Sequence, residues 1–208
     1  MSDPSSPAVT LQTKGMLCDP GDHFLGRYEV ERKFRVDVLE PVRSKILSMG
    51  AVPFTLGNVE TDIFLDQADG RLASNDQQQV MRLMQPSGRV LWICKGPGSD
   101  RCVAMDLDGS DKALEMLAAL GFVETGRLTK KRDIYFAGDF HITLDQLDGL
   151  GCFVEIAVMT DDAGSLMHWA NRVDVFAGSL GLDAAQIEDR SYRAMMMGMT
   201  RAEASRRA

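Results

Sequence analysis

The chain has 208 residues, 45% of them hydrophobic and 25% charged, with a formal net charge of −7, a balance that suits one globular domain with a sizeable core. The acidic excess argues against a general affinity for nucleic acid or an anionic membrane, so an anionic ligand has to meet a local basic cluster or a metal. No run approaches the roughly 18 apolar residues of a membrane span, and the opening MSDPSSPAVT lacks the basic and apolar parts of a signal peptide, which predicts a cytoplasmic protein.

Residues 1–22 are rich in Pro, Ser, Gly and Asp without periodicity, and 199–208 form a polar tail; both read as flexible ends around one domain at 23–198. Within it, strand-like alternation and helix-like periodicity take turns, an α+β pattern. The first element is a strand over Tyr28–Val36. A helix follows from Asp37 or Glu40 to Met49, with Pro41 allowed in its first turn and Gly50 ending it. A further strand carries Asp62-Ile63-Phe64. The plan then returns at an offset of 71 residues: Ser99–Leu107 falls on Tyr28–Val36, and a helix with Ser110 as N-cap runs to Gly121. By the same offset Asp133-Ile134-Tyr135 falls on Asp62-Ile63-Phe64. Two more helices are predicted, about Gly164–Leu180 and Ser191–Met197, with Met195-Met196-Met197 as the packing surface of the second.

Charges are placed unusually along the strands. Tyr28–Val36 puts Arg27, Glu29, Glu31, Lys33 and Arg35 on one face and Tyr28, Val30, Phe34 and Val36 on the other. Alone, that is a solvated face over a core. Elsewhere, however, Glu155 is the only charge in Cys152–Met159, Arg82 lies alone in Val80–Met84, and Lys95 ends the apolar run from Val90. Lys130 and Arg132 share one face of the strand that ends Ile134-Tyr135-Phe136, and Asp145 closes the stretch Phe140–Leu144. Each has a bland explanation as a strand end or a snorkelling side chain. Together they fit better in a closed or nearly closed sheet lined by Lys33, Arg82, Lys95, Lys130 and Arg132 on one part and Glu29, Glu31, Asp145 and Glu155 on another, since a buried charge is too costly to leave unpaired. Such a lumen suits a polyphosphate with a divalent metal: cations meet phosphate oxygens, and carboxylates are the hard ligands that Mg2+ or Mn2+ prefers. With no G-x-x-x-x-G-K-[ST] loop in the chain, a nucleotide is held in another way. Cys18, Cys94, Cys102 and Cys152 form no C-x-x-C pair and read as reduced, while His23, His141 and His168 are too scattered for a His-built zinc or iron site.

Glu29-Val30-Glu31-Arg32-Lys33 matches the E-x-E-x-K signature of the superfamily that joins class IV adenylyl cyclases to thiamine and inorganic triphosphatases, known as CYTH or triphosphate tunnel metalloenzymes. The chain resembles the class IV cyclases over about 24–197, through ordered blocks that include 84–88, 91–97, Arg101-Cys102, Phe140-His141-Ile142-Thr143, Gly149-Leu150-Gly151, 153–162 and Ser191-Tyr192-Arg193. This resemblance implies an antiparallel eight-stranded β-barrel with flanking helices, usually a homodimer, that converts ATP to cyclic AMP and pyrophosphate. Carried over position by position, it implies Glu29, Glu31 and Glu155 as ligands of the divalent metal, and Lys33, Arg82, Lys95, Lys130 and Arg132 as ligands of the triphosphate. Asp145, with Lys130 and Arg132, then belongs to the reacting centre. Met84 and Ala157 stand where many triphosphatases have a second arginine and a second glutamate, as in the cyclase branch, whereas Val103 departs from that branch, which commonly has a glutamate there. A triphosphate hydrolase, and a module that binds polyphosphate without turning it over, stay open as alternatives.

Overall fold

The computed structural model describes residues 24–98 and 100–198; the segments 1–22 and 199–208 expected to be flexible, and Cys18 and His23, lie outside them. Eight strands occur in chain order: β1 (Tyr28–Val36), β2 (Val52–Gln67), β3 (Gln78–Gln85), β4 (Val90–Lys95), β5 (Cys102–Leu107), β6 (Phe122–Ala137), β7 (Phe140–Leu147) and β8 (Gly151–Thr160). Helix α1 (Glu40–Ser48) follows β1, α2 (Arg71–Ser74) follows β2, α3 (Asp111–Ala119) follows β5 and α4 (Leu166–Ser179) follows β8. A last helical segment covers 192–198. None of these helices is long and apolar enough to cross a membrane.

The internal repeat is real in three dimensions. Helices α1 and α3 keep the predicted offset, and each stops where a glycine takes up a left-handed conformation, Gly50 at φ 85° and Gly121 at φ 86°. Ser110 does precede α3, but as a correction to its expected role its hydroxyl caps nothing: its backbone is helical, with φ −85° and ψ −35°, and the side chain donates to Asp111 instead. A capping hydroxyl needs extended backbone to reach back to the helix N–H groups. The predicted strand at Ser99–Leu107 is shorter in the structure, beginning at Cys102. Helix α2 has no sequence signature; its first N–H groups, those of Leu72 and Ala73, are satisfied by the carboxylate of Asp66, at 2.9 and 3.1 Å, from the end of β2.

All strand pairs are antiparallel, in the order β1-β8-β7-β6-β2-β3-β4-β5. The long strands β2 and β6 meet at the centre, and going outward from them equivalent strands follow, β3, β4, β5 on one side and β7, β8, β1 on the other, so that each repeat lends its first strand to the other's side. Sheet twist curls the two ends towards each other. They touch at Tyr28 and Arg101, where Glu29 N donates to Asp100 O and Cys102 N to Arg27 O. This corner admits no side chain at Gly26, where a Cβ would lie 2.8 Å from Thr160 N. The eight-stranded antiparallel architecture with flanking helices is thus the expected one, as a curled sheet whose edges join at that bridge.

Apolar clusters fix which surface is inside. On the convex side of β1, β8 and β7, Val30, Phe34, Ile142, Val154, Ile156 and Val158 pack against Ile46 of α1 and Val173 and Ala177 of α4. Fully buried side chains such as Ile46 and Val173 contribute about 1.5–3 kcal/mol each. On the convex side of the other half, Ile63, Leu65, Met81 and Val90 pack against Leu117 of α3. A third cluster is made of alternate residues that face the other way: Phe64, Val80, Ile93, Leu128, Leu147 and Phe153, with Tyr192 and Met195 of the last helix among them. That helix therefore fills part of the concave side. Met195 and Met196 pack as predicted, whereas Met197 is exposed.

Candidate active site

Residues paired in register share a face of a sheet. The pairs Lys33–Glu155, Glu155–Thr143 and Asp145–Arg132 place their side chains on the concave side of β1, β8, β7 and β6. Glu60–Lys130 and Asp62–Arg82 extend the same face across β2 and β3. Lys95, at the end of β4, crosses the curl to reach Glu29 of β1, Nζ to Oε2 at 2.6 Å.

The nine residues singled out in the sequence lie on this face, six of them, Lys33, Arg82, Lys130, Arg132, Asp145 and Glu155, in one ion-pair network and Lys95 with Glu29 in a separate pair. Arg132 grips Asp145 with two nitrogens, Nε to Oδ1 at 2.6 Å, and its Nη2 also donates to Glu155 Oε2. Glu155 accepts from Thr143 at 3.3 Å and lies 4.0 Å from Lys33 Nζ. Lys130, 1% exposed, sits between Asp62 Oδ2 at 2.8 Å and Glu60 Oε2 at 3.1 Å. Arg82 makes a bidentate pair with Asp62 at 2.6 and 2.9 Å. The two ends of the charged face of β1 do other work: Arg27 pairs with Asp161 at the surface, and Arg35 binds Leu150 O and Glu188 and lies over the Phe153 ring.

Burial raises every carboxyl here, and local cations decide which are pulled back. For Glu29 the charges of Lys95 and His141 outweigh burial and hold the carboxyl at about 2. For Glu155, Arg132, Lys33 and Lys130 do the same, again to about 2, and for Glu60 the same level is set by Arg82, Lys130 and Arg132. Glu31 and Asp145 are the exceptions: burial keeps the Asp145 carboxyl above its usual range in spite of the Arg132 guanidinium. For Glu31 the balance goes further. Burial and the repulsion of Glu155 raise it to about 7, against the weaker pull of Lys95, and it has no ion pair among the described residues. Burial also pushes the Cys102 thiol, beside Glu29, up to about 12, so it is an inert thiol. Cys94, Cys102 and Cys152 are free, as expected.

Glu60, Asp62, Thr143 and Tyr192 belong to this site and were not assigned to it from sequence. Glu60 and Asp62 alternate with Val59, Thr61 and Ile63, so a strand signal was present. Two register shifts just upstream, between Pro53 and Asn58, interrupt its period. Val103 points to the face opposite Cys102 and is 48% exposed, so the missing glutamate does not alter the concave surface. Ala157, by contrast, is the fully buried partner of both Glu31 and His141.

No three acidic, His or Cys side chains are already gathered as a cation site among the described residues. The donor set nevertheless suits a hard divalent ion: Glu31 repels Glu155 and Glu29, and a cation between them would relieve that repulsion.

A curled eight-stranded antiparallel sheet, with helices α1, α3 and α4 on its convex side and ionic groups on its concave side, defines the class of fold. The chain belongs to the CYTH family, whose CYTH domain matches residues 27–192; membership of this metalloenzyme family implies a metal cofactor. The chain is 41% identical to adenylate cyclase CyaB of Aeromonas hydrophila, over 83% of its own length and 91% of the relative's. It is similar to the X-ray structure of a Vibrio parahaemolyticus protein provisionally named an adenylate cyclase, at TM-score 0.80 and 37% identity, covering 83% of this chain and 99% of that one. A Pyrococcus horikoshii protein shares the fold at TM-score 0.73 and 23% identity, with 83% and 99% covered.

Proposed function

We propose that the chain is a class IV adenylate cyclase, converting ATP to 3′,5′-cyclic AMP and pyrophosphate. The observation that carries this reading is Glu31, which forms no ion pair among the described residues and is raised by burial and by its neighbours Glu155 and Glu29, on a concave face otherwise rich in ion pairs, in a chain so similar to a cyclase. Five cations, Lys33, Arg82, Lys95, Lys130 and Arg132, face six carboxylates, Glu29, Glu31, Glu60, Asp62, Asp145 and Glu155, among the described residues. The cations are already matched by carboxylates, so a triphosphate entering this space needs divalent cations with it.

Glu29, Glu31 and Glu155 are the residues that would hold Mg2+ or Mn2+, which when bound supplies Lewis-acid stabilisation of phosphoryl charge and acidifies the ribose 3′-hydroxyl. Lys33, Lys95, Arg82, Lys130 and Arg132 bind the triphosphate and take up the charge that builds on the departing pyrophosphate. Asp145 holds the Arg132 guanidinium in its plane. In-line positioning of the 3′-oxygen against the α-phosphorus selects cyclisation, whereas admission of water at the terminal phosphoryl would give hydrolysis. Ala157 beside Glu31 on one half of the sheet, and Met84 beside Glu60 on the other, leave the concave face without the extra carboxylate and guanidinium of many triphosphatases.

Purified protein incubated with ATP and Mg2+ or Mn2+ is expected to yield cyclic AMP and pyrophosphate when the products are separated by chromatography. Orthophosphate release instead would make it a hydrolase, and intact ATP with measurable binding a sensor. We also assign a cytoplasmic homodimer; a monomer by light scattering overturns the assembly.

A further inference from the structure

We propose that Tyr192 is a positioning residue of this site: its hydroxyl holds Asp145, and through it Arg132, while its ring fixes where the Lys33 ammonium waits for phosphate. The proposal rests on the polyphosphate reading of the lumen. Tyr192 comes from the last helix, which the sequence presents only as a methionine-rich packing element. Its Oη donates to Asp145 Oδ2 at 2.7 Å, and Asp145, fully buried, is the carboxylate that Arg132 grips with two nitrogens. Lys33 Nζ lies 4.6 Å from the centre of the Tyr192 ring and Lys130 Nζ 5.9 Å. Phe153 also packs on the ring in an edge-to-face arrangement, with ring centres 5.2 Å apart.

Packing alone does not require a tyrosine here. Phe153, Leu147, Leu128 and Met195 surround it, and a phenylalanine would fill the same space. A buried hydroxyl is costly unless bonded, and this one is bonded to a carboxylate of the charged network rather than to a nearby backbone carbonyl. The ring has a second use. An aromatic face attracts an ammonium without neutralising it, so Lys33, whose nearest carboxylate oxygen is 4.0 Å away, can transfer to a phosphate oxygen without breaking a close ion pair. Arg193 anchors the same turn by donating to Thr125 Oγ1 at 2.8 Å, which holds the tyrosine against the barrel wall.

The test compares Tyr192→Phe, Asp145→Asn and the double variant in ATP turnover, with tripolyphosphate titration in Mg2+ and thermal melting alongside. Tyr192→Phe is expected to lower kcat/KM about tenfold and to weaken tripolyphosphate binding at least about threefold, the loss of one hydrogen bond to a charged group. Its melting temperature stays close to wild type, and the double variant is no worse than Asp145→Asn alone. Wild-type turnover and binding in Tyr192→Phe, or losses that multiply in the double variant, would overturn the proposal. Should Asp145→Asn not fold, the titration of Tyr192→Phe decides alone. If wild type binds tripolyphosphate but makes no cyclic AMP, the cyclase reading fails while that titration still judges Tyr192.

Discussion

The two halves of the sheet are equivalent under the internal repeat, yet their concave faces differ. The half made of β6, β7, β8 and β1 carries Lys130, Arg132, Thr143, Asp145, Glu155, Lys33, Glu31 and Glu29, most of the ionic groups, with Leu128, Leu147, Phe153 and Ala157 among them. The half made of β2, β3, β4 and β5 carries Glu60, Asp62, Arg82 and Lys95, and otherwise Phe64, Val80, Ile93 and Cys102. The first half presents groups that a ligand can displace from one another. The second mainly supplies counter-charges, as Glu60 and Asp62 do for Lys130 and Arg82, and shares with the first the apolar bed of the last helix. A repeated fold thus yields one chemical wall and one supporting wall.

Breaking the chemical wall gives the largest effects. Glu31→Ala and Glu155→Ala are each expected to lower ATP turnover by more than about a hundredfold in a chain that still folds; wild-type rates in both would dissolve the distinction between the walls. Next come Lys95→Ala and Arg132→Ala, one from each half, each weakening ATP binding by about 1.5–3 kcal/mol in calorimetry. Unchanged affinity in both removes them from the triphosphate site. The smallest effect belongs to the supporting wall and is read in acid. The carboxyl of Glu60 lies at about 2 in the folded chain against 4.5 ordinarily, so its stabilising contribution is complete above pH 4.5 and is lost as pH falls towards 2. Urea unfolding at pH 6 and pH 3 should show wild type losing on the order of 1 kcal/mol more than Glu60→Gln; equal losses would show that Glu60 is not held by its cations.

Much of the chemical wall was legible because its charges stand singly in apolar strands, where period-two alternation assigns a face without knowledge of the partner. Glu155 within Cys152–Met159 is the clearest instance. Helices α1 and α3 were legible from Pro41, Gly50 and Gly121, residues whose backbone preferences act locally. What stayed hidden depends on distant contacts. Helix α2 exists because Asp66 reaches its N–H groups from the preceding strand. Tyr192 meets Asp145 across 47 residues, and no periodicity records such a meeting. Ser110 marks the reverse case, a correct position whose backbone angles deny the hydroxyl its customary partner.

The sheet order also bears on how the molecule is assembled. Hairpins such as β2–β3, β3–β4 and β6–β7 join neighbours in sequence, whereas β1 pairs only with strands from far along the chain, β8 and the start of β5. Non-local pairing is slow because a long loop has to close first. Glu29, Glu31 and Lys33 are therefore enclosed only when β1 has closed on β8 and on the segment before β5, so the desolvation of this part of the ionic interior is tied to that long-range pairing. A half-assembled chain keeps these charges in water, and so has no competent chamber to act on nucleotides prematurely.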